Sequence, residues 1–137
     1  MRIVATEYVI DAHALIFFHA GGARLGPEAR RVMEDPKSVL VLPAIALAEA
    51  CWVLTKKRVL GVHANDVLQA VDADPRVSIA SLTRDIVAAT LSFPPGLEMH
   101  DRQIVATVQA IIGQGRSAAL LTQDDAIVKS GLVPVVW

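Results

Sequence analysis

Between Ala44 and Leu54 the chain has one polar residue, Glu49, in the run Pro43-Ala-Ile-Ala-Leu-Ala-Glu-Ala-Cys-Trp-Val-Leu54. The run predicts a helix from Ala44 to about Lys57. Pro43 falls in its first turn, where a missing N–H costs nothing. A helix apolar on every side is a buried helix. Glu49 then has Ile45 and Val53 one turn away on either side. Burying an unpaired carboxylate costs several kcal/mol or drives it to protonate. Glu49 therefore leans out to a solvated edge, pairs with an arginine, or meets other carboxylates around a cation.

Composition narrows the setting. A chain of 137 residues suits one domain, spanning 1–137, with a single core. Hydrophobic residues make up 53% of it and aromatics 4%, so that core is aliphatic, and the surplus implies apolar surface kept for a partner. The net charge of −1 provides no overall basic field to attract nucleic acid, so any RNA contact needs a local patch. Cys51 is the one cysteine, which excludes a disulfide framework and points to a reducing cytoplasm. Glu7 and Asp11 interrupt the apolar stretch after Arg2, and no 18 consecutive apolar residues occur, so a soluble chain without a membrane span is expected.

Read in order, the chain alternates strands and helices. Tyr8-Val-Ile10 is a strand ending at Asp11, and Ala12–Ala20 a buried helix stopped by Gly21-Gly22. Gly26-Pro27-Glu28 opens a helix to about Glu34, before the strand Val39-Leu-Val-Leu42. After the central helix come a helix over Asn65–Val71, a strand over Val77–Ala80 and a helix from Arg84 to about Leu91, capped by Thr83. Pro94-Pro95-Gly96 breaks the chain. From His100 to Ile112 the apolar positions Ile104, Val105, Val108, Ile111 and Ile112 form one helical stripe. Ala118–Leu121 is a strand, Asp125–Ser130 a short helix, and Val133–Val136 a last strand that Pro134 confines to an edge or an end. This alternation predicts βαβ units: an α/β fold with a central parallel sheet of four to five strands and helices on both faces. Its strands are continuous apolar runs, as in sheets buried on both sides.

The carboxylates then fall on one rim. Asp11 follows the first strand and Asp124 closely follows the strand Ala118–Leu121, and the C-termini of parallel strands share one edge where ligands bind. Glu49 lies about two turns into a helix that starts on that rim, and Asp101 opens another helix on its apolar side. Asp11, Asp101 and Asp124 each stand at a helix start, where an N-cap role worth about 1 kcal/mol is the plain explanation. Capping does not explain Glu49. Four converging carboxylates repel one another unless a divalent cation sits among them, and oxygen ligands suit Mg²⁺ or Mn²⁺. Two such ions about 3.5–4 Å apart support phosphodiester cleavage by an activated water. Thr122 either steadies this group through its hydroxyl or is a turn residue.

The segments Val9-Ile-Asp-Ala-His-Ala-Leu15, Ile45-Ala-Leu-Ala-Glu49, His100-Asp-Arg-Gln-Ile-Val-Ala106, Leu121-Thr-Gln-Asp124 and Val133-Pro-Val-Val-Trp137 resemble, in order and spacing, the PIN-domain family of metal-dependent nucleases. The likeness is strongest to the VapC-type toxin ribonucleases of toxin–antitoxin modules. It implies that Asp11, Glu49, Asp101 and Asp124 are catalytic and bind Mg²⁺ or Mn²⁺. It also implies cleavage of single-stranded RNA, inhibition by a cognate antitoxin, and a homodimer. The chain departs from the family at Pro43, Ala48 and Ala12, where Ser or Thr, Trp and Thr are common. Those positions lie beside the quartet and bear on substrate fit.

Other residues have plainer readings. His13 is expected to pack or cap, with substrate phosphate as the alternative. His19, His63 and His100 have no zinc-type spacing with Cys51. Arg102 either contacts phosphate or forms an ion pair, with Glu49 a candidate partner. Lys56, Lys57 and Arg58 suit a solvated helix end favoured by the dipole, Asp125 either backs Asp124 or belongs to its helix's first turn, and Trp52 and Trp137 are expected in the core or an interface. A phospho-acceptor receiver domain is nearly excluded. Ala12 follows Asp11 where that class needs a second acid, and Val77–Ala80 leads to Ser81 rather than an Asp. A non-catalytic PIN-like protein binding RNA or a partner stays open.

Overall fold

Five short apolar runs form the strands of one sheet. The computed structural model describes residues 5–57 and 61–137, so Arg58 of the basic cluster and the Arg2 segment lie outside the described residues. The strands are β1 (Glu7–Ile10), β2 (Val39–Pro43), β3 (Val77–Ala80), β4 (Ala118–Leu121) and β5 (Val135–Val136). The helices are α1 (Ala12–Ala20), α2 (Pro27–Glu34), α3 (Ala44–Lys56), α4 (Ala64–Ala73), α5 (Arg84–Ala89), α6 (Met99–Gly113) and α7 (Asp125–Ser130). The strand order is β3-β2-β1-β4-β5, every pair parallel. All four residues of β4 are buried, as are the last four of β2. Successive strand residues point to opposite faces, so both faces of the sheet's centre are covered.

This order fixes where a ligand can sit. From β1 the chain lays β2 and β3 on one side and later returns to lay β4 and β5 on the other. The winding reverses between β1 and β4, and a crevice opens beyond their C-terminal ends. Val9, Ile10, Leu40, Leu42, Leu120 and Leu121 are sealed beneath it, with Leu15, Ile104 and Ile127 from the helices. Among the described residues no helix is long and apolar enough to cross a membrane.

Several elements differ from the sequence expectation. The central helix is buried on one stripe only, Ala46, Ala50 and Leu54, while Ala48 is exposed and Trp52 is 60% exposed. Small and apolar residues do not bury a face that no neighbouring element covers. Pro43 is the last residue of β2 and the N-cap of α3, with ψ 136°, rather than part of the first turn. The helix expected to reach Leu91 ends at Ala89 and tightens into a 3₁₀ turn, Thr90–Ser92. There the Thr90 and Ser92 hydroxyls donate to the carbonyls of Val87 and Ala89. The last strand shrinks to two residues. Pro134 has no N–H to give, and its carbonyl accepts from the Leu120 N–H at 2.9 Å. Trp137 packs half-buried at the start of α2, where a Cβ on Gly26 would collide with its backbone and ring.

Opposite the crevice, Arg76 ties the α4–β3 connection to the end of α2 and the α2–β2 connection. Its Nη1 donates to the carbonyls of Met33 and Asp35, both at 2.7 Å, while Nε and Nη2 grip the Asp74 carboxylate at 3.0 and 2.8 Å. The hydrogen bonds from Arg76 hold the Asp74 carboxyl below its ordinary value of 3.8. A depressed carboxyl stabilises the fold above its unfolded pKa, and that contribution disappears as pH falls through the folded value. Asp74→Asn is therefore expected to lose about 1–2 kcal/mol near neutral pH. Urea unfolding as a function of pH should show the deficit closing below the usual carboxylate range.

Candidate active site

Four elements deliver the acids to the crevice. Asp11 leaves β1 and caps α1, its Oδ1 accepting from the Ala12 N–H at 2.7 Å. Asp124 caps α7, its Oδ1 accepting from the Ile127 N–H at 3.0 Å. Thr122, 1% exposed, joins them: its hydroxyl donates to Asp11 Oδ2 at 2.5 Å and accepts from the Asp124 N–H at 3.1 Å. It spans the ends of β1 and β4, so it is more than a turn residue. Glu49 comes from the second turn of α3 and Asp101 from the first turn of α6. Asp101 is not a cap, because Glu98 occupies the N-cap position and makes no side-chain cap bond.

All four acids line one open cleft of about 280 Å³, with His13, Glu98 and His100. Asp11, His13 and Asp124 also border a second hollow beside it, with Thr122 and Gln123. The acids feel one another. Burial pushes the Asp101 carboxyl up to about 6; nearby His100 opposes the rise, and Asp124, Asp11 and Glu49 add to it. Burial likewise raises Glu49, with His100 opposing and Asp11 reinforcing. Two sealed side-chain oxygens lack a hydrogen-bond partner among the described residues, Glu49 Oε2 and Gln103 Oε1, and Glu49 is the one that lines the cleft. An orphaned buried carboxylate oxygen among other carboxylates is what a divalent cation would satisfy.

Several neighbours differ from their sequence reading. His13 is exposed at the mouth, its ring tilted against Phe17, and is neither packed in the core nor a cap. Arg102 neither faces the cleft nor pairs with Glu49. Its guanidinium donates to the carbonyls of Leu97, Thr90, Phe93 and Pro94 and pins the loop that leads into α6. Asp125 points to solvent and pairs with Lys129 at 2.8 Å. Trp52 is an exposed platform under Lys56, whose Nζ lies 4.3 Å from the ring centroid. The sequence reading gave no site role to His100 and Glu98. His100 sits beside Asp101 in the chain, and its approach to Glu49 appears only once α3 and α6 are packed together.

The raised acids set a pH dependence for the metal-free protein. Folded Asp101 keeps a proton up to about 6, while the unfolded chain gives it up near 3.8. The unfolded state binds fewer protons in that interval, so stability declines as pH rises through it. Asp101→Asn is expected to stabilise the metal-free protein above that interval by on the order of 2 kcal/mol. Thermal unfolding in chelator should show no gain below the interval.

Comparison with known proteins agrees with this geometry. The sequence matches the PIN domain family over residues 8–130. No curated protein matches the chain significantly. Among solved structures it is similar to VapC20 of Mycobacterium tuberculosis, described as a sarcin-ricin loop cleaving toxin. The TM-score is 0.66 at 17% identity, covering 92% of this chain and 96% of that one. It is also similar to VapBC2 of Rickettsia felis, solved bound to a DNA fragment from its promoter. Here the TM-score is 0.65 at 12% identity, covering 96% and 98%. With a match spanning nearly every element and the four acids gathered at the sheet's switch point, the chain belongs to the PIN domain family.

Proposed function

We propose that this protein is a metal-dependent endoribonuclease that cuts single-stranded RNA as the toxin of a toxin–antitoxin pair. The observation that carries the reading is the orphaned Glu49 oxygen in a cleft shared with Asp11, Asp101 and Asp124. Those four residues would hold Mg²⁺ or Mn²⁺. A bound ion of this kind supplies Lewis acidity, which eases deprotonation of an attacking water and stabilises charge on the leaving oxygen of a phosphodiester.

The chain's own residues prepare the site. Thr122 and the Ala12 N–H fix both Asp11 oxygens, so that carboxylate is held before any ligand arrives. Asp124 is anchored by the Ile127 N–H through one oxygen. Arg102 holds the 90–97 loop against the start of α6 and so sets the position of Asp101. His13, at the mouth, is placed to meet a phosphate as the strand enters. Among the described residues no Ser or Cys lines the cleft, so in this reading water rather than a protein nucleophile attacks the phosphorus. Its oxygen forms the new P–O bond, one phosphodiester P–O bond breaks, and the leaving oxygen takes up a proton.

The partners follow from the same reading. Exposed Trp52, Leu91 and Met99 offer apolar surface for an antitoxin or a second copy of the chain. A cytoplasmic site of action fits an RNA target. Chelator-treated protein should leave RNA intact, and Mn²⁺ or Mg²⁺ should restore cutting of single strands at least about tenfold faster than duplex. Glu49→Gln, Asp101→Asn and Asp124→Asn should each lower the rate by about 100-fold or more. Equal growth arrest by wild type and Asp101→Asn on expression would overturn the assignment.

A further inference from the structure

One nitrogen in the cleft faces three carboxylates. His100 Nε2 lies 3.1 Å from Glu49 Oε1, 3.5 Å from Asp101 Oδ1 and 3.7 Å from Glu98 Oε2. These atoms come from two helices, α3 and the start of α6. An imidazole nitrogen carries at most one proton and can satisfy one acceptor well. Asp101, 7% exposed, accepts no hydrogen bond from any described residue, and the His100 imidazole lies 3.5 Å from its Oδ1. Glu49 turns one oxygen to the same imidazole and leaves the other sealed and unpaired. His13, the other histidine of the cleft, makes no contact of this kind with an acid.

The spacing matches a coordination shell. Neighbouring ligands of an octahedral ion with bonds of about 2.1 Å stand about 3 Å apart. Glu98, His100 and Asp101 each offer one ligand atom, all lying within 4.8 Å of one another. Glu98 is free to take part because it makes no cap bond, and its side chain is 78% exposed.

We propose that His100 is a direct metal ligand, so that the ion is held by nitrogen as well as oxygen and Glu98 borders the same position. This rests on the metal-dependent reading above and sharpens it. Imidazole favours the later divalent ions over Mg²⁺, so the site prefers Mn²⁺ or Co²⁺ to Mg²⁺ by more than an all-carboxylate quartet would.

The test reads metal binding rather than cleavage. Metal-free protein is titrated with Mn²⁺ followed by electron paramagnetic resonance, and the saturated sample is examined by electron spin echo envelope modulation. Wild type should show ¹⁴N coupling from a bound imidazole; His100→Gln should lose it, and His13→Gln should keep it. Protein grown on ¹⁵N-histidine should lose the ¹⁴N pattern with no substitution at all. The His100→Gln variant should bind Mn²⁺ about tenfold more weakly while Mg²⁺ affinity, measured by competition, moves less than about twofold. Mn²⁺ bound without nitrogen coupling, or coupling that survives in His100→Gln, overturns the ligand assignment and leaves the carboxylate reading standing. Failure of wild type to bind Mn²⁺ at all overturns both.

Discussion

Like charges kept close together are what this fold has to accommodate. Asp11, Glu49, Asp101 and Asp124 come from four different elements, and the raised carboxyls of Glu49 and Asp101 show that their surroundings disfavour charge. The protein tolerates this because the rim is rigid. Beneath it, the sealed aliphatic side chains of β1, β2 and β4 interlock with those of α1, α6 and α7. The backbone beneath the acids is held by packing at interior density, and Thr122 with the Ala12 N–H also fixes both oxygens of Asp11. Core and site are therefore in tension, which a divalent cation bound there would relieve.

Thr122 shows how this is arranged locally. Its hydroxyl donates to one acid and accepts from the backbone of another, across a sequence separation of 111 residues. β1 and β4 are central neighbours, so the bridge adds to the sheet register rather than competing with it. Far from the rim, Arg76 does similar work for the opposite loops through carbonyl groups and one carboxylate. Polar side chains with many donors thus hold the loops, while aliphatic ones hold the layers.

The sequence was most legible where periodicity and position agree. Ala118–Leu121 and Val39–Leu42 could be read as doubly buried strands, and the parallel arrangement then put Asp11 and Asp124 on one edge without further assumption. Glu49 stood out because nothing else between Ala44 and Leu54 was polar. Pattern failed where an answer depended on which element lies alongside. The apolar composition of α3 suggested burial all round, yet Ala48 and Trp52 face outward because no element covers them. Arg102, beside Asp101 in sequence, read as an ion-pair or phosphate residue. A helical residue's neighbour in the chain points in another direction, and the guanidinium turns back to the loop. The contact of His100 with Glu49 joins positions about fifty residues apart, and no spacing rule encodes it.

Arg102 has one more consequence. With four of its five N–H donors committed to main-chain oxygens, the arginine adjoining the acids has only one left for a nucleic-acid backbone, and among the described residues no Lys or Arg lines either hollow. The rim taken alone would repel a polyanion. Under the proposed reading, gripping the strand and cutting it both depend on the same bound cation, so scarcity of that ion would silence the protein at the docking step, before any bond is broken.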